Sequence, residues 1–423
     1  MRKVLTWGGI FASSALAAYL LSIAYAIFST SFSHHQREKS YFEASGKVLH
    51  MFDERRKFDI YVGQPKLSSN TYVNDLTIDY SRDEPSKKPR ENATLLMLVR
   101  NRELEGALQS MRSLEDRFNR KYHYDWTFLN DVPFDQAFIE ATTAMASGKT
   151  SYGLIPSSDW DRPSNINETE FESCLQLMEE KKVLYGGSRS YRNMCRFNSG
   201  FFFRQEILDK YDYYFRVEPD VEYFCDFPYD PFKVMRTQGK KYGFVMSLHE
   251  YEDTIPTLWD AVEEFITDYP ELIDMETNAF SFITDDGVIG RVMPIIQSNS
   301  MYNLCHFWSN FEIGDLSFFR SDAYLKYFEV LDSKGGFYYE RWGDAPVHTI
   351  AAALLLRKEE IIHFDELGYH HLPFMTCPTS RNLRLQQRCI CDPDIEENID
   401  ITSYSCLTRW WKSGDGKHFM KHI

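Results

Sequence analysis

The sequence has no excess of positive charge. Of its 423 residues, 47 are Lys or Arg and 62 are Asp or Glu, which gives a formal net charge of −15. A broad nucleic-acid footprint needs a basic face, so this composition argues against a nucleic-acid-binding protein. An anionic ligand would need either a local cluster of basic side chains or a metal ion.

Residues 4–36 contain no Asp, Glu, Lys or Arg. Within them, Ile10–Phe28 is a predominantly apolar run that is long enough to span a bilayer. A cleavable signal peptide is the alternative, but its apolar region is normally shorter and is followed by a clear small-residue cleavage site. Arg2 and Lys3 precede the run and favour a cytosolic amino terminus, which would leave the bulk of the chain in a lumen.

The segment after this run is polar and charged and has little apolar periodicity, as in a stem or linker. The sequence therefore predicts four regions: a cytoplasmic tail at 1–9, a transmembrane signal-anchor at 10–32, a lumenal stem at 33–90 and a folded domain at 91–423.

No two cysteines have the CxxC spacing of structural zinc sites. The eight cysteines are an even number and are compatible with disulfides in an oxidising compartment, although their connectivity cannot be deduced. Two N-glycosylation sequons, Asn92-Ala-Thr94 and Asn167-Glu-Thr169, agree with a lumenal location. Asn167 is also placed to cap a helix that begins at Glu168.

After residue 90, strand-like and helix-like segments alternate. Ala93–Val99 is a continuous apolar run typical of a strand buried on both faces, and apolar residues recur at helical spacing from Leu104 to Phe118. Further strands are predicted at Trp126–Leu129, Tyr213–Val217 and Lys241–Leu248, and further helices at 168–182, 255–269 and 349–356. This alternation predicts an α/β fold.

Ligands of open α/β sheets bind beyond the carboxyl ends of the strands. Arg100 and Asn101 directly follow the first predicted strand and are therefore candidates for nucleotide contact. The stretch Tyr185–Phe203 is rich in glycine and polar residues and is interpreted as a segment that precedes a helix at Ile207. It supplies three further candidates for phosphate contact, Arg189, Tyr191 and Arg192.

The strand-like run Tyr213–Val217 ends in Glu218-Pro219-Asp220. The residue before a proline is extended, and a two-residue spacing on an extended backbone directs both carboxylates to the same side. Two such oxygen donors suit a divalent cation that carries phosphates. A solvated acidic turn is the alternative, because the pattern is short and common.

Two other stretches place acidic side chains among aromatic ones. In Tyr302–Asp315, Glu312 has apolar neighbours, where a carboxylate is costly unless it is exposed, paired or used. A structural salt bridge is the alternative for Glu312. In the stretch Gly335–His348, Asp344 is predicted to cap a helix, and His348 is either functional or a core histidine.

A last polar stretch is Gly368-Tyr369-His370-His371. Adjacent side chains project differently, so a single metal ion would take one of the two histidines. One imidazole together with Glu218 and Asp220 would form a mixed nitrogen and oxygen site suited to Mn²⁺, with phosphate in the remaining positions.

As a set, these motifs resemble a known family. The stretches YFRVEPD, TIPTLW, YNLCHFWSNFEIGDL, GGFYYERWGDAPVH and GYHH are similar to the fungal GDP-mannose-dependent α-1,2-mannosyltransferases of glycosyltransferase family fifteen. The resemblance runs in the same order from residue 93 to Cys406. It implies a GT-A-type, Rossmann-like α/β fold with a central mixed sheet flanked by helices, so that 91–423 would be the catalytic domain.

The resemblance also implies retaining transfer of mannose from GDP-mannose to mannose-containing N- or O-linked glycans of glycoproteins. It implies Mn²⁺ as the cofactor and a single-pass type II protein of the Golgi membrane with a lumenal catalytic domain. The implied partners are GDP-mannose, a mannosylated glycan acceptor, the membrane, and a Golgi mannosyltransferase complex.

Residue roles follow from the matching motifs. Glu218 and His371 resemble the metal ligands of the family, with Asp220 in or near the metal shell, and Glu312 resembles the proposed nucleophile. The residues assigned to the donor nucleotide are Arg100, Tyr191, Arg216 and Asp220. Glu312 either forms a covalent mannosyl-enzyme or stabilises an oxocarbenium-like state, and it must be deprotonated in both cases.

Two other classes of protein fit some of these features. One is a catalytically inactive mannan-binding or scaffolding protein with the same fold, and the other is a glycoside hydrolase that uses Glu312 and a second carboxylate. The segment Asp274–Ser300 looks longer than its counterpart in the family, so the acceptor preference is not carried over.

Overall fold

The computed structural model describes residues 90–285 and 302–414. The chain divides into two units, Met1–Tyr80 and Ser81–Ile423, and every described residue belongs to the second. Among the described residues, no helix is both long and apolar enough to cross a bilayer.

Several predicted regions fall outside the described residues. They are the tail at 1–9, the signal-anchor at 10–32 and all of the stem 33–90 except Arg90. The segment 274–300 is described only as far as Asp285.

The strands are short, and most of them belong to one sheet. In chain order they are β1 (Ala93–Leu98), β2 (Asp125–Asn130), β3 (Thr150–Leu154), β4 (Tyr213–Arg216), β5 (Glu222–Tyr223), β6 (Tyr242–Phe244), β7 (Ser247–His249), β8 (Cys305–Phe307), β9 (Glu312–Asp315), β10 (Ile361–His363), β11 (Tyr369–His371) and β12 (Phe374–Thr376).

The central sheet has seven strands in the order β10-β6-β9-β4-β1-β2-β3. Strand β9 runs antiparallel to both of its neighbours, and the other neighbouring pairs are parallel. Two smaller antiparallel sheets have the orders β12-β11-β5 and β7-β8.

The helices flank this sheet. In chain order they are α1 (Leu104–Leu114), α2 (Arg120–Tyr122), α3 (Gln136–Met145), α4 (Ser157–Trp160), α5 (Glu168–Glu180), α6 (Arg189–Gly200), α7 (Pro231–Thr237), α8 (Leu258–Asp268), α9 (Phe280–Ile283), α10 (Leu316–Phe319), α11 (Asp322–Ser333), α12 (Gly336–Tyr339), α13 (Asp344–Leu355), α14 (Arg381–Gln386) and α15 (Leu407–Ser413).

The central sheet is buried on both faces, as its apolar first strand predicts. Along β1, Leu95 and Met97 belong to one apolar cluster and Leu96 to the other, because successive side chains point to opposite faces. The predicted mixed α/β fold with flanking helices is therefore confirmed. Asn167 also caps α5 as predicted, since its side chain accepts hydrogen bonds from the backbone N–H groups of Thr169 and Glu170.

The predicted helix from Leu104 to Phe118 is regular only as far as Leu114. A π-helical turn follows at Glu115–Asn119. The buried Glu115 carboxylate accepts hydrogen bonds from Trp126 Nε1 at 2.7 Å and from Asn119 Nδ2 at 2.8 Å. One of these bonds lies within the turn and the other ties it to β2, and apolar periodicity carries no signal for either.

The helix predicted at Ile207 is only a 3-10 turn, Glu206–Leu208, and a longer helix lies within Tyr185–Phe203 instead. The segment contains α6, whose first turn is capped by Ser188. Its inner face carries buried polar residues as well as apolar ones, including Arg192 and Ser199. The helix was missed because those polar side chains look solvent-facing in the sequence.

Six of the eight cysteines form disulfides, which confirms the disulfide interpretation over zinc for the cluster near the carboxyl end. The pairs are Cys225–Cys389, Cys305–Cys406 and Cys377–Cys391. Cys174 and Cys195 are free. The bond between Cys305 and Cys406 joins β8 to the segment before α15 and so anchors the carboxyl-terminal part of the domain.

Removing the Cys305–Cys406 disulfide should destabilise the domain. We expect the double variant Cys305→Ser/Cys406→Ser to lose about 2–4 kcal/mol of unfolding free energy, because the cross-link constrains the unfolded chain. Chemical denaturation of the oxidised protein measures this loss. The free thiol offers a control: Cys174→Ser should unfold like the wild type, and equal midpoints for all three proteins would contradict the prediction.

Candidate active site

A cleft of about 910 Å³ opens where the parallel strands of the central sheet end. Arg100 follows β1, Asn130 ends β2, and Arg216 and Glu218 lie at the end of β4; all four line the cleft. This is the edge at which open α/β sheets bind ligands. The structure therefore brings the RVEPD stretch and the first strand end together, as the sequence predicts.

The cleft does not form a basic patch. Its six Lys and Arg residues are balanced by six Asp and Glu residues. The basic residues are Arg100, Arg102, Lys181, Lys182, Arg216 and Arg341, and the acidic ones are Glu103, Asp131, Glu218, Glu250, Asp253 and Asp344. Because the charges balance, the metal ion is the better of the two ways to hold an anionic ligand here.

Arg216 is at the centre of the polar network on the cleft wall. Its Nε donates to Glu218 Oε1 at 2.6 Å, and its Nη1 donates to Asp344 Oδ2. Ser309 Oγ also donates to Asp344 Oδ2, at 2.8 Å. Burial alone would raise the pKa of Asp344, but the charges of Arg216 and His348 outweigh it and the pKa is lowered.

Asp344 is not the cap of α13, contrary to the sequence prediction. Gly343 occupies the capping position and Asp344 is the first helical residue. The Asp344 side chain is turned to Arg216 and Ser309 instead. A tertiary ion pair has replaced the local cap, and the sequence around Asp344 gives no sign of it.

The two carboxylates of Glu218-Pro219-Asp220 do not face the same way. Asp220 has φ near 60°, a left-handed conformation, so the backbone is no longer extended where the prediction needed it to be. Its N–H donates to Gly106 O at 3.2 Å, and its carboxylate lies against Gly106 in the first turn of α1. Glu218 lines the cleft and Asp220 does not.

The two adjacent histidines point in different directions, as predicted. His371 lines the cleft, and its ring contacts Trp308 with centroids 4.8 Å apart. His370 packs against Phe224 instead, with centroids 5.8 Å apart. Of these two adjacent histidines, only His371 is therefore directed to the same cleft as Glu218.

His371 is suited to metal binding by its chemistry. Its Nδ1 is 2.9 Å from Leu372 O, so it can donate there and leave Nε2 as the acceptor nitrogen. Burial lowers the pKa of His371 despite the opposing charge of Glu218, which favours the neutral imidazole that metals require. A carboxylate and an imidazole in one cleft fit Mn²⁺ with phosphate ligands.

The other candidates for nucleotide contact divide into two groups. Arg100 and Tyr191 line the cleft. Asn101 does not; its side chain donates to Pro133 O at 3.0 Å. Arg189 pairs with acidic residues on the surface of α5, and the buried Arg192 donates to backbone carbonyl oxygens, including Glu340 O at 2.9 Å. The prediction that these two arginines meet phosphates in the cleft is therefore wrong.

Tyr191 is held by contacts on both sides of its ring. Its ring stacks on the exposed Tyr185 with centroids 4.7 Å apart, and Arg341 lies over it at 5.4 Å. Arg341 Nη1 donates to the Tyr191 hydroxyl at 3.1 Å, and its guanidinium is 3.6 Å from Glu250. Arg341 was not predicted from the sequence, although a basic residue within the aromatic stretch FYYERW was a usable signal.

Glu312 is fully buried behind Arg216 and does not line the cleft. Its carboxylate accepts hydrogen bonds from the hydroxyls of Tyr214 and Tyr242, and it is paired with His348 Nδ1 at 2.7 Å. His348 is therefore a core histidine with a specific partner, and its Nε2 is 2.9 Å from Asn198 O.

The Glu312 and His348 charges stabilise each other. Burial alone would raise the pKa of Glu312 and lower that of His348, but their mutual attraction outweighs burial for both. The pKa of Glu312 is lowered and that of His348 is raised. Glu312 is thus deprotonated, as the sequence analysis requires, and it takes part in the structural salt bridge that was the alternative.

Comparisons with known proteins show which family this chain is related to. The family described as glycolipid 2-alpha-mannosyltransferase matches residues 49–415. The Saccharomyces cerevisiae protein named probable mannosyltransferase KTR2 is 67% identical over 394 residues, which cover 92% of each chain. The alpha-1,2 mannosyltransferase KTR1 of the same yeast is 49% identical and covers 78% of this chain and 81% of its own.

Solved structures share the fold. Core-mannan synthase A from Aspergillus fumigatus, crystallised in an Mn/GDP form, superposes with a TM-score of 0.72 at 37% identity, over 79% of this chain and 88% of its own. The S. cerevisiae mannosyltransferase Ktr4p in complex with GDP gives a TM-score of 0.72 at 32% identity, over 88% of this chain and 98% of its own. The chain therefore has the expected GT-A-type fold and belongs to the glycolipid 2-alpha-mannosyltransferase family, glycosyltransferase family fifteen.

Proposed function

We propose that this chain is a retaining α-mannosyltransferase that transfers mannose from GDP-mannose to mannose-containing glycans, through an α-1,2 linkage. The observation that carries the proposal is the placement of Glu218 and His371 in one cleft at the carboxyl end of the parallel strands. Relatives crystallised with GDP, one of them also with Mn, support the choice of donor and metal.

Glu218 and His371 would hold the metal ion. Bound Mn²⁺ would act as a Lewis acid that stabilises negative charge on the departing diphosphate. Arg216 already holds one oxygen of Glu218 and so orients its carboxylate towards the cleft. Tyr191 and Arg100, which line the same cleft, would contact the donor nucleotide.

Transfer breaks the bond between the anomeric carbon and the β-phosphate oxygen, and the electron pair stays on GDP. The acceptor hydroxyl oxygen forms the new bond and loses its proton to the departing phosphate. Glu312 is fully buried and does not line the cleft, which favours attack on the leaving-group side over a covalent intermediate on Glu312. The negative charge of Glu312 then acts on the site indirectly, because it attracts the positively charged Arg216.

The cellular setting is proposed from the sequence alone. An apolar, uncharged amino-terminal run supports a signal-anchor in the Golgi membrane, with the folded domain in the lumen. Disulfides within the described domain support an oxidising compartment. A Golgi mannosyltransferase complex and the N- or O-linked glycans of glycoproteins are proposed on the family relationship.

Transfer itself is the first test. We expect the full-length chain, purified in detergent, to release GDP from GDP-mannose and to extend a defined mannoside when Mn²⁺ is present. Analysis of the product linkage by NMR should give an α-1,2 bond. The absence of both transfer and GDP release with every divalent ion tried would contradict the proposal.

The metal site has a test that does not depend on turnover. Calorimetric titration should show at least about tenfold weaker binding of GDP in Mn²⁺ for Glu218→Gln and for His371→Ala, a loss of about 1.4 kcal/mol. His370→Ala is the matched control, because His370 is the neighbouring imidazole outside the cleft, and its affinity should not change. Unchanged affinity in both metal-site variants would refute the assignment.

The role of Glu312 can be separated from its structural contribution. Glu312→Ala leaves His348 without its buried partner and should cost about 3–5 kcal/mol of stability, so lost activity alone would not identify a nucleophile. Mass spectrometry of the wild type after reaction with GDP-mannose decides the point. We expect no mannosyl ester on Glu312, and finding one would overturn the proposed route.

The same pair predicts a pH profile. The lowered pKa of Glu312 stabilises the folded protein at pH values above 4.5, the ordinary pKa of a glutamate. This stabilisation is lost as the pH falls through the pKa that Glu312 has in the folded protein. The raised pKa of His348 stabilises the folded protein at pH values below 6.5, the ordinary pKa of a histidine. This stabilisation is lost as the pH rises through the pKa that His348 has in the folded protein. The difference in melting temperature between wild type and Glu312→Gln should therefore be largest from about pH 4.5 to 6.5.

A further inference from the structure

Five aromatic rings form a continuous row along one wall of the cleft. From the inner end outwards they are His371, Trp308, Phe374, Tyr404 and Tyr251. Successive ring centroids are 4.8, 5.8, 6.3 and 6.1 Å apart. The row leads from a candidate metal ligand to the mouth of the cleft.

Trp308, Phe374 and Tyr404 pack against the core, but the row is also open to the cleft. None of its five rings is fully buried, and Tyr251 at the outer end is 60% exposed. Among the three outer rings, Phe374 and Tyr404 are tilted by 33° and Tyr404 and Tyr251 by 39°, so each neighbouring pair is closer to parallel than to perpendicular. An exposed row of this kind, continuous with a binding cleft, is typical of a ligand-binding surface.

The row is assembled from distant parts of the chain. His371 is paired with Phe374 across β11 and β12. Tyr404 is held near β8 by the neighbouring Cys406, which is bonded to Cys305. Trp308 follows β8 directly, and its backbone N–H donates a hydrogen bond to Met246 O at 3.0 Å. The rings are therefore fixed by sheet pairing and a disulfide before any ligand arrives.

Resting on the proposed function, we infer that this row binds the acceptor as an oligomannoside, contacting the sugars that precede the mannose to be extended. The apolar C–H face of a pyranose packs against an aromatic ring, and the spacing of the rings is comparable to the length of one sugar. The diphosphate of the donor belongs at the His371 end, beside Glu218. The acceptor chain therefore runs from there towards Tyr251.

The alternative occupant of an aromatic surface is the guanine of the donor. The stacked pair Tyr185 and Tyr191, which lines the cleft but does not belong to the row, offers a second aromatic surface of that kind. A guanine site would respond to GDP alone, whereas an acceptor site responds to the length of the mannoside. This difference separates the two occupants by experiment.

The test compares acceptors of different length in the full-length protein. For wild type, kcat/KM should be higher for α-1,2-mannotriose than for methyl α-mannoside. Tyr251→Ala, at the exposed end of the row, should lower kcat/KM for the trisaccharide about fivefold and leave that for methyl α-mannoside within about twofold, the size expected for one ring contact. Tyr251→Phe should restore the preference, because it keeps the ring.

Two controls make the result specific. Tyr185→Ala removes a tyrosine of similar exposure, 56%, outside the row and should leave the ratio between the two acceptors unchanged. Binding of GDP in Mn²⁺ should be the same for Tyr251→Ala and wild type. Three results would each overturn the inference while the transfer activity stands. They are a wild type without preference for the longer acceptor, an unchanged ratio of kcat/KM between the two acceptors in Tyr251→Ala, and weakened GDP binding in that variant.

If the wild type transfers no mannose, the proposed function fails and the row is tested by binding alone. Saturation-transfer NMR should then detect contact of α-1,2-mannotriose with wild type and a weaker signal with Tyr251→Ala. Equal signals for the two proteins would refute the row as a glycan-binding surface.

Discussion

The candidate site depends on the two ion pairs that the Arg216 guanidinium makes. An arginine this buried requires counterions, and it finds them in Glu218 at the cleft and in Asp344 at the start of α13. The pair of bonds ties the end of β4 to a helix that follows it by more than a hundred residues in the chain. The orientation of the Glu218 carboxylate is thus set by the fold and not by its own loop.

A second buried pair lies behind the first. Glu312 is the residue opposite Arg216 in the pairing of β4 with β9, and His348 joins it from α13. The other nitrogen of His348 contacts Asn198 O in α6, the helix whose first turn carries Tyr191 into the cleft. The two sides of the cleft are therefore connected through ionised groups in the core, where each charge is costly unless it is paired.

Predictions from the sequence hold where local features decide the structure, and they are wrong where a distant residue decides it. The strand before Glu218, the first strand and the divergence of His370 and His371 were predictable, because apolar runs and residue spacing act locally. The directions of Asp220 and Asp344 were not, since one depends on a positive φ and the other on a distant arginine. Family motifs named Glu312 but could not reveal that it is buried behind Arg216.

The high aromatic content of the chain, 16% of its residues, fits both a ring-packed core and a carbohydrate-binding surface, and the fold contains both buried rings and rings that line the cleft. Composition cannot separate them, because Trp126 and Trp308 are the same residue type in similar apolar surroundings. What separates them is the position relative to the sheet: Trp126 lies within β2 and is fully buried. Trp308 directly follows β8 of the small sheet β7-β8, and its ring lines the cleft. Trp126 therefore stabilises the fold from within the central sheet, whereas Trp308, past the end of its strand, lines the cleft.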